Sequence, residues 1–345
     1  MSGLRLVNPV EKVAGPSAKN KKEKQGFYQL LLDRVERFSS MALQVLRDGD
    51  SDAIHHMRVY SRRVQSALEV LPKELDVRTR PLRRQLSRIR RSLNKVRDFD
   101  VFLKIVKKRP ATAKNKEAYD LLCDHFSKER ERVLERMRER LENLGVREFP
   151  SKFISAITDP DSSLIVDGTS LRVELASVAR DDKAFERAIE NIEEHWRTVR
   201  GFISNASTFS ESERLHALRI AIKRLRYIVE LAAQMSDVRA RTAISRLKSL
   251  QASIGEWHDL EVLETRIIKI IARPDFIANE LDNCRVLHNL IAQLRRRKLR
   301  VLVKIKAELL SDELPATIDG LMDQLKPYSD STDNAGVIQA AALTE

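Results

Sequence analysis

The chain carries one short pattern twice: His55, Arg58, Arg62 and Arg63 in "HHMRVYSRR", and His216, Arg219, Lys223 and Arg224 in "HALRIAIKR". Steps of three and four residues bring the histidine, the arginine and the next cation onto one face of a helix. A row of donors with no acceptor among them is chemistry for gripping an anion, and guanidinium and ammonium groups suit phosphate best. The opposite face is apolar in both copies, with Met57, Val64, Ala67, Leu68 and Leu71 in the first and Leu218, Ile222, Leu225 and Val229 in the second. Arg226 extends the second stripe, and Gln65 stands at the matching place in the first.

More charge follows the first stripe. Between Pro81 and Val96 the chain holds Arg83, Arg84, Arg88, Arg90, Arg91 and Lys95 and no acid, and Arg84, Arg88, Arg91 and Lys95 share a face. Such like charges repel by roughly a few tenths of a kcal/mol per pair, which an anion laid along them would offset. The second copy is thinner here, with Arg246 and Lys248 as candidates. Ahead of His216, "SESE" reads as a capping box built on Ser210 and Glu213. That places His216 in the first turns of a helix, where the positive dipole end keeps an imidazole neutral until an anion binds.

The elements that must position these groups are helices. Apolar residues recur at helical steps over about 27–46, 52–71, 80–106 and 115–144, and again from Lys183 to about Leu325, with Pro81 expected in the first turn of the third helix. Only ten glycines and ten prolines occur in 345 residues, which favours an all-α chain. A single offset of 161 residues pairs Arg58 with Arg219, Arg62 with Lys223, Leu86 with Leu247, Asp98 with Asp259 and Cys123 with Cys284. The expectation is an internal duplication of a four-helix unit. Residues 1–25 read as a disordered basic arm, 26–154 as the first unit, 155–182 as a linker, 183–326 as the second unit and 327–345 as a flexible tail.

Sixty-three Lys and Arg against 50 Asp and Glu leave a formal charge of +13, which selects a polyanion as partner: nucleic acid, an anionic membrane surface or a phosphate polymer. No run of about 18 apolar residues exists to span a membrane, and the N-terminus lacks the apolar core of a signal peptide. Two cysteines are too few for a disulfide framework or a Cys-based zinc site, which fits the cytoplasm. Only Tyr60 and Tyr227 lie inside the stripes, fewer aromatics than base stacking demands, so nonspecific binding of a nucleic-acid backbone is the alternative. The His258-Asp259 doublet and Asp98 with Asp100 raise a metal-dependent phosphohydrolase as a further alternative. The offset pairs His258 with Arg97 and only Asp98 with Asp259 repeats, so these aspartates read as holding neighbouring arginines. No catalytic residue, metal or cofactor is expected. A structural adaptor is the third class, with "KERERVLERMRERLENL" offered to a partner helix.

The segments "HHMRVYSRRVQSAL", "LRRQLSRIRRSLNKVRDFDVFL", "LHALRIAIKRLRYIVEL" and "LKSLQASIGEWHDLEVL" resemble the CHAD domain, named for conserved histidines in an α-helical fold, within a match over about Gln25 to Leu325. The resemblance implies two four-helix bundles related by a pseudo-twofold axis, with basic grooves or a central pore, and inorganic polyphosphate as the ligand. Carried over, the histidine falls on His55 and His216, the arginine on Arg58 and Arg219, and the following cations on Arg62, Arg63, Lys223, Arg224 and Arg226. The Glu-x-Glu signature of the CYTH triphosphatase-type domain, often fused to such domains, is absent. The implied protein is a stand-alone, non-enzymatic polyphosphate binder, cytoplasmic and associated with polyphosphate granules.

Overall fold

The apolar steps become helices in the computed structural model, which describes residues 26–110, 112–158, 183–204 and 212–326. The first half holds α1 (Phe27–Arg47), α2 (Ser51–Leu68), α3 (Lys73–Lys107), α4 (Lys116–Asn143) and the short α5 (Phe149–Ile157). The second holds α6 (Ala184–Ser204), α7 (Ser212–Met235), α8 (Arg241–Ile271), the single-turn-scale α9 (Pro274–Asn279), α10 (Leu281–Leu310) and α11 over 313–326. Among the described residues there is no strand. The arm, the tail and most of the linker fall outside the described residues, as does Ser210; residues 155–157 are the last turn of α5.

Each helix buries the face its sequence period marks. In α1 that face is Leu31, Val35, Phe38, Ala42 and Val45. Its reversal into α2 is built from Gly49, at φ +64°, and Asp50, whose carboxylate accepts from the backbone N–H groups of Asp52 and Ala53 at 3.0 and 2.9 Å. Such a cap satisfies donors that the first helical turn otherwise leaves open.

Helix α3 differs from expectation at its start. It begins at Lys73, capped by Pro72, with Glu74 and Asp76 in its first turn, so Pro81 lies inside the helix rather than at its head. Acidic residues at the positive dipole end favour this earlier start. Pro81 has no N–H to give the Val77 carbonyl, while Thr79 turns its hydroxyl back to the Leu75 carbonyl at 2.8 Å.

Packing runs in sequence order within each half: α1 on α2, α2 on α3 and α3 on α4, then α6 on α7, α7 on α8 and α8 on α10. Across the halves α2 meets α7, α3 meets α8 and α4 meets α10. This is the arrangement that a twofold relation between the halves requires. Both apolar cores draw on both halves. One gathers Phe38, Phe149, Ile54, Met57, Leu86 and Leu93 with Trp196, Leu218, Ile222, Leu250 and Ile254. The other joins Phe99, Phe102 and Phe126 to Leu260, Leu263, Ile267, Leu287 and Leu294.

The turn at Gly49 yields a contrast. A β-carbon there would come within 2.8 Å of Leu134 Cδ2 at a backbone angle side chains avoid, whereas Gly255, inside α8, has open space around it. Gly49→Ala is expected to destabilise by more than about 1 kcal/mol, and Gly255→Ala to leave stability unchanged or raise it by up to about 1 kcal/mol. Urea unfolding of the two variants reads both, and equal responses would contradict this account of the turn.

Candidate functional site

Where α2 and α3 face α7 and α8, the side chains line a half-open cavity of about 340 Å³. Helix α2 contributes Arg58, Arg62, Gln65, Ser66 and Glu69, and α3 contributes Arg90, Asn94 and Asp98. Helix α7 adds His216, Arg219, Ile220, Lys223, Arg224 and Tyr227, and α8 adds His258. The lining donors are placed by their neighbours in sequence: Met57, Leu218 and Ile222 are fully buried one position before Arg58, Arg219 and Lys223. A step of one residue turns about 100° on a helix, so an anchored apolar side chain fixes the direction of the cation beside it.

The cavity is short of negative charge. Arg58, Arg62, Arg90, Arg219, Lys223 and Arg224 have no ion-pair partner among the described residues, and the lining carboxylates are Glu69 and Asp98. Arg58 Nη1 and Arg219 Nε are buried with no hydrogen-bond partner. These two arginines are equivalents under the 161-residue offset, and each lies within the other's electrostatic reach. Asp98 and Asp259, the other repeated pair, are likewise close enough to repel.

Protonation follows from that crowding. Burial, with Arg219, Arg62 and Arg58 adding repulsion, pushes the Lys223 ammonium down to about 5. Burial lowers Arg58 and Arg90 to about 10, Arg62 being the next cause in both. Burial raises Asp98 to about 6 against the pull of Arg58, and raises Asp259 against that of Arg219. His216 is lowered by burial and by Arg219 and Lys223, and His258 is brought to about 4 by burial and Arg219. The two imidazoles lie 5.6 Å apart and are neutral at pH 7.

Of the expected site residues, the structure brings Arg58, Arg62, His216, Arg219, Lys223 and Arg224 together. His55 is exposed beside His56, with Arg97 acting on it, outside the cavity lining. Arg63 reaches Glu230 at 3.5 Å and covers the Tyr60 ring. Arg226 corrects the expectation: it is 7% exposed, bound to Glu230 at 2.6 Å and Gln251 at 2.9 Å, and stacked on Tyr227. With its donors directed to those partners it is an internal strut. Arg246 pairs with Glu313 of α11, and Lys248 is exposed, 3.8 Å from Glu230.

Arg84, Arg88, Arg91 and Lys95 do share a face, but it is the solvent face of α3. The flank that lines the cavity is instead that of Arg90, Asn94 and Asp98, with Asn94 exposed at its edge, and neither Arg90 nor Asn94 is among the expected site residues. The apolar row Leu86, Ile89 and Leu93 is the signal that bears on them, since it marks the core direction and leaves a polar flank on either side. Asp98 and Asp259 make no ion pair among the described residues, and they act on the arginines at longer range. No group of three or more metal-ligating side chains occurs among the described residues.

The CHAD domain family profile matches residues 29–267. Among solved structures, the crystal structure of the CHAD domain from the plant Ricinus communis is similar at a TM-score of 0.53 and 17% identity, covering 83% of this chain and 91% of that one. PptA from Streptomyces chartreusis is similar at a TM-score of 0.56 and 14% identity, covering 83% of this chain and 99% of that one. At these identities the structural likeness speaks to the fold alone. No curated protein matches the sequence.

The lowered Lys223 has a consequence for stability. An unfolded lysine binds a proton below its ordinary value of 10.5, whereas the folded one stays neutral down to about 5. The ligand-free protein therefore loses stability at this position as pH falls from 10.5 toward 5. Lys223→Met removes that loss, so its stability gain over the parent is expected to grow as pH is lowered from 10 to 6. Denaturant unfolding at several pH values checks it, and a gain that shrinks with falling pH would refute it.

Proposed function

The chain belongs to the CHAD domain family, and from that premise we propose that it binds inorganic polyphosphate in the cavity between α2, α3, α7 and α8 without hydrolysing it. The observation that carries the reading is the pair of buried, unpartnered donors on equivalent arginines, Arg58 Nη1 and Arg219 Nε. A buried donor left unsatisfied costs about 1–3 kcal/mol, more when charged, and a phosphate oxygen reaching both would relieve that cost in each half at once. Polyphosphate supplies such oxygens on every unit and carries no bases that need their own contacts.

The stripe tyrosines favour it over single-stranded nucleic acid. Tyr227 is 3% exposed with the Arg226 guanidinium 4.2 Å from its ring centroid, and Tyr60 has Arg37 and Arg63 over its ring at 5.9 and 5.3 Å. Tyr227 is too buried to stack on a base, and Tyr60 carries two guanidinium groups and lies outside the cavity lining.

Binding without turnover is the reading that the donor set supports. Phosphoanhydride hydrolysis needs a positioned water and a base or metal, together with groups that grip the transition state more tightly than the ground state. Asp98 and Asp259 face arginines, and the neutral imidazoles of His216 and His258 sit among cations.

Arg58→Ala and Arg219→Ala are each expected to weaken binding of long-chain polyphosphate roughly tenfold, while Arg84→Ala, on the outer face, changes it far less. Affinity should fall steeply with added KCl as counterions are released. Titrations with duplex DNA and single-stranded RNA at matched ionic strength supply the comparison, and tighter binding of either would overturn the reading. Incubation with polyphosphate and Mg²⁺, Mn²⁺ or Zn²⁺ is expected to release no phosphate above a protein-free control. Turnover abolished by Asp98→Asn or Asp259→Asn would mark the cavity as an active site instead.

A further inference from the structure

A second concentration of charge lies where the end of α3 meets α10. There Lys108, Arg109, Arg296, Arg297, Arg300 and Lys304 line an open groove of about 780 Å³ whose single carboxylate is Glu256. Glu256 is already taken by Arg297, Nε to Oε1 at 2.7 Å, and the other five cations have no ion-pair partner among the described residues. The groove is built rather than merely exposed. Arg109 spends Nη1 on Gln293 at 2.9 Å, which fixes its guanidinium, and Nη2 is buried with nothing to donate to. Ile105 and Val301 form an apolar floor beneath the charges.

We propose that this groove is a second binding site for phosphate groups, separate from the cavity, and that a long polyphosphate occupies both. The second clause rests on the polyphosphate reading of the cavity; the first does not. The two sites are neighbours along α3. Asp98 borders the cavity and Ile105 the groove, seven residues apart, which is about 10 Å of helix with both near one face. A polymer leaving the cavity along α3 thus meets further cations instead of solvent. Exposed Arg296, Arg300 and Lys304 follow one another at a spacing of four along α10, which suits a repeating chain of anions rather than a single compact one.

The test uses the full chain and two probes: pyrophosphate, too short to bridge the sites, and long-chain polyphosphate. Calorimetry is expected to resolve two pyrophosphate sites. The variant Arg109→Ala/Arg300→Ala/Lys304→Ala should lose one, and Arg58→Ala/Arg219→Ala the other. For the long polymer, the groove variant should bind roughly tenfold more weakly, with its log–log salt slope reduced by roughly one for each cation removed. Helicity and melting temperature are followed in parallel, and Arg300→Ala/Lys304→Ala, confined to exposed positions, repeats the test should Arg109 prove structural. If the groove variants bind both probes like the parent and keep its salt slope, the groove proposal is wrong. If Arg58→Ala/Arg219→Ala is silent while the groove variants abolish binding, the cavity reading fails and the groove stands.

Discussion

Positive charge enclosed without enough negative charge is the constraint on which this structure turns. Arg58, Arg62, Arg90 and Arg219 converge from three helices on one cavity, and taking ions out of water costs several kcal/mol apiece unless they are paired, a cost that Lys223 beside them avoids by losing its proton. What holds them there is apolar burial on the other faces of the same helices. Leu68, Leu86, Ile89, Leu218, Ile222 and Leu225 are each fully buried, at about 1.5–3 kcal/mol per side chain of that size. Because both cores draw on both halves, the halves cannot part to relieve the repulsion without exposing apolar surface. The cavity walls are therefore held together by contacts remote from them.

Polar links tie the halves at equivalent positions. Arg34 of α1 is 6% exposed and donates to the Arg63 carbonyl at 3.1 Å and to Gln234 of α7 at 2.8 Å. The offset carries Arg34 onto His195 of α6, which approaches Glu69 of α2 at 3.7 Å, while Asn191 on the same helix donates to the Glu69 carbonyl at 3.2 Å. Each outer helix thus reaches across to the other half. The equivalence is in placement and not in chemistry, as with Gln65 and Arg226: both lean on a glutamate four residues on, Glu69 and Glu230, but Arg226 does so from the interior and gives Nε to Gln251 as well. The first half consequently gives the cavity Arg58, Arg62 and Arg90, and the second half gives Arg219 and the neutral amine of Lys223 deep within it, beside two neutral imidazoles.

The helical class, the helix order and the paired Arg58 and Arg219 were legible in the sequence because each rests on local spacing. Period marks which face is buried, and a constant offset marks which positions are equivalent. What spacing does not carry is the identity of the neighbour. On α3 the apolar row Leu86, Ile89 and Leu93 leaves Arg84, Arg88, Arg91 and Lys95 on the opposite, solvent face and Arg90 with Asn94 on one flank. Whether that flank meets solvent or a neighbouring helix is not written in its spacing, and only the docking of α7 makes it a wall of the cavity. Arg226 fails for a related reason. Its spacing continues the stripe, but Glu230 one turn on and Gln251 on α8 offer acceptors inside the interface, and a buried arginine goes where its donors are met. The cationic groove at Arg300 and Lys304 is not legible in the sequence because it joins α10 to the end of α3, elements distant in the chain that no repeat connects.

The protonation states within the cavity suit a site that must be stable both empty and filled. Lys223 is brought down to about 5 and Asp98 up to about 6, so desolvation drives an ammonium and a carboxylate toward neutrality at once. Near neutral pH the empty cavity sheds the ammonium charge of Lys223, holds Asp98 close to its titration and keeps the fixed charge of its arginines, which do not deprotonate there. An arriving polyanion reverses one shift and strengthens the other, since negative potential favours the protonated form of both groups. On the proposed reading Lys223 would then gain a charge that pairs with phosphate, and Asp98 would take up a proton that spares it repulsion. Both changes take up protons, so acidification assists the filled state through the same two residues whose burial makes the empty one tolerable.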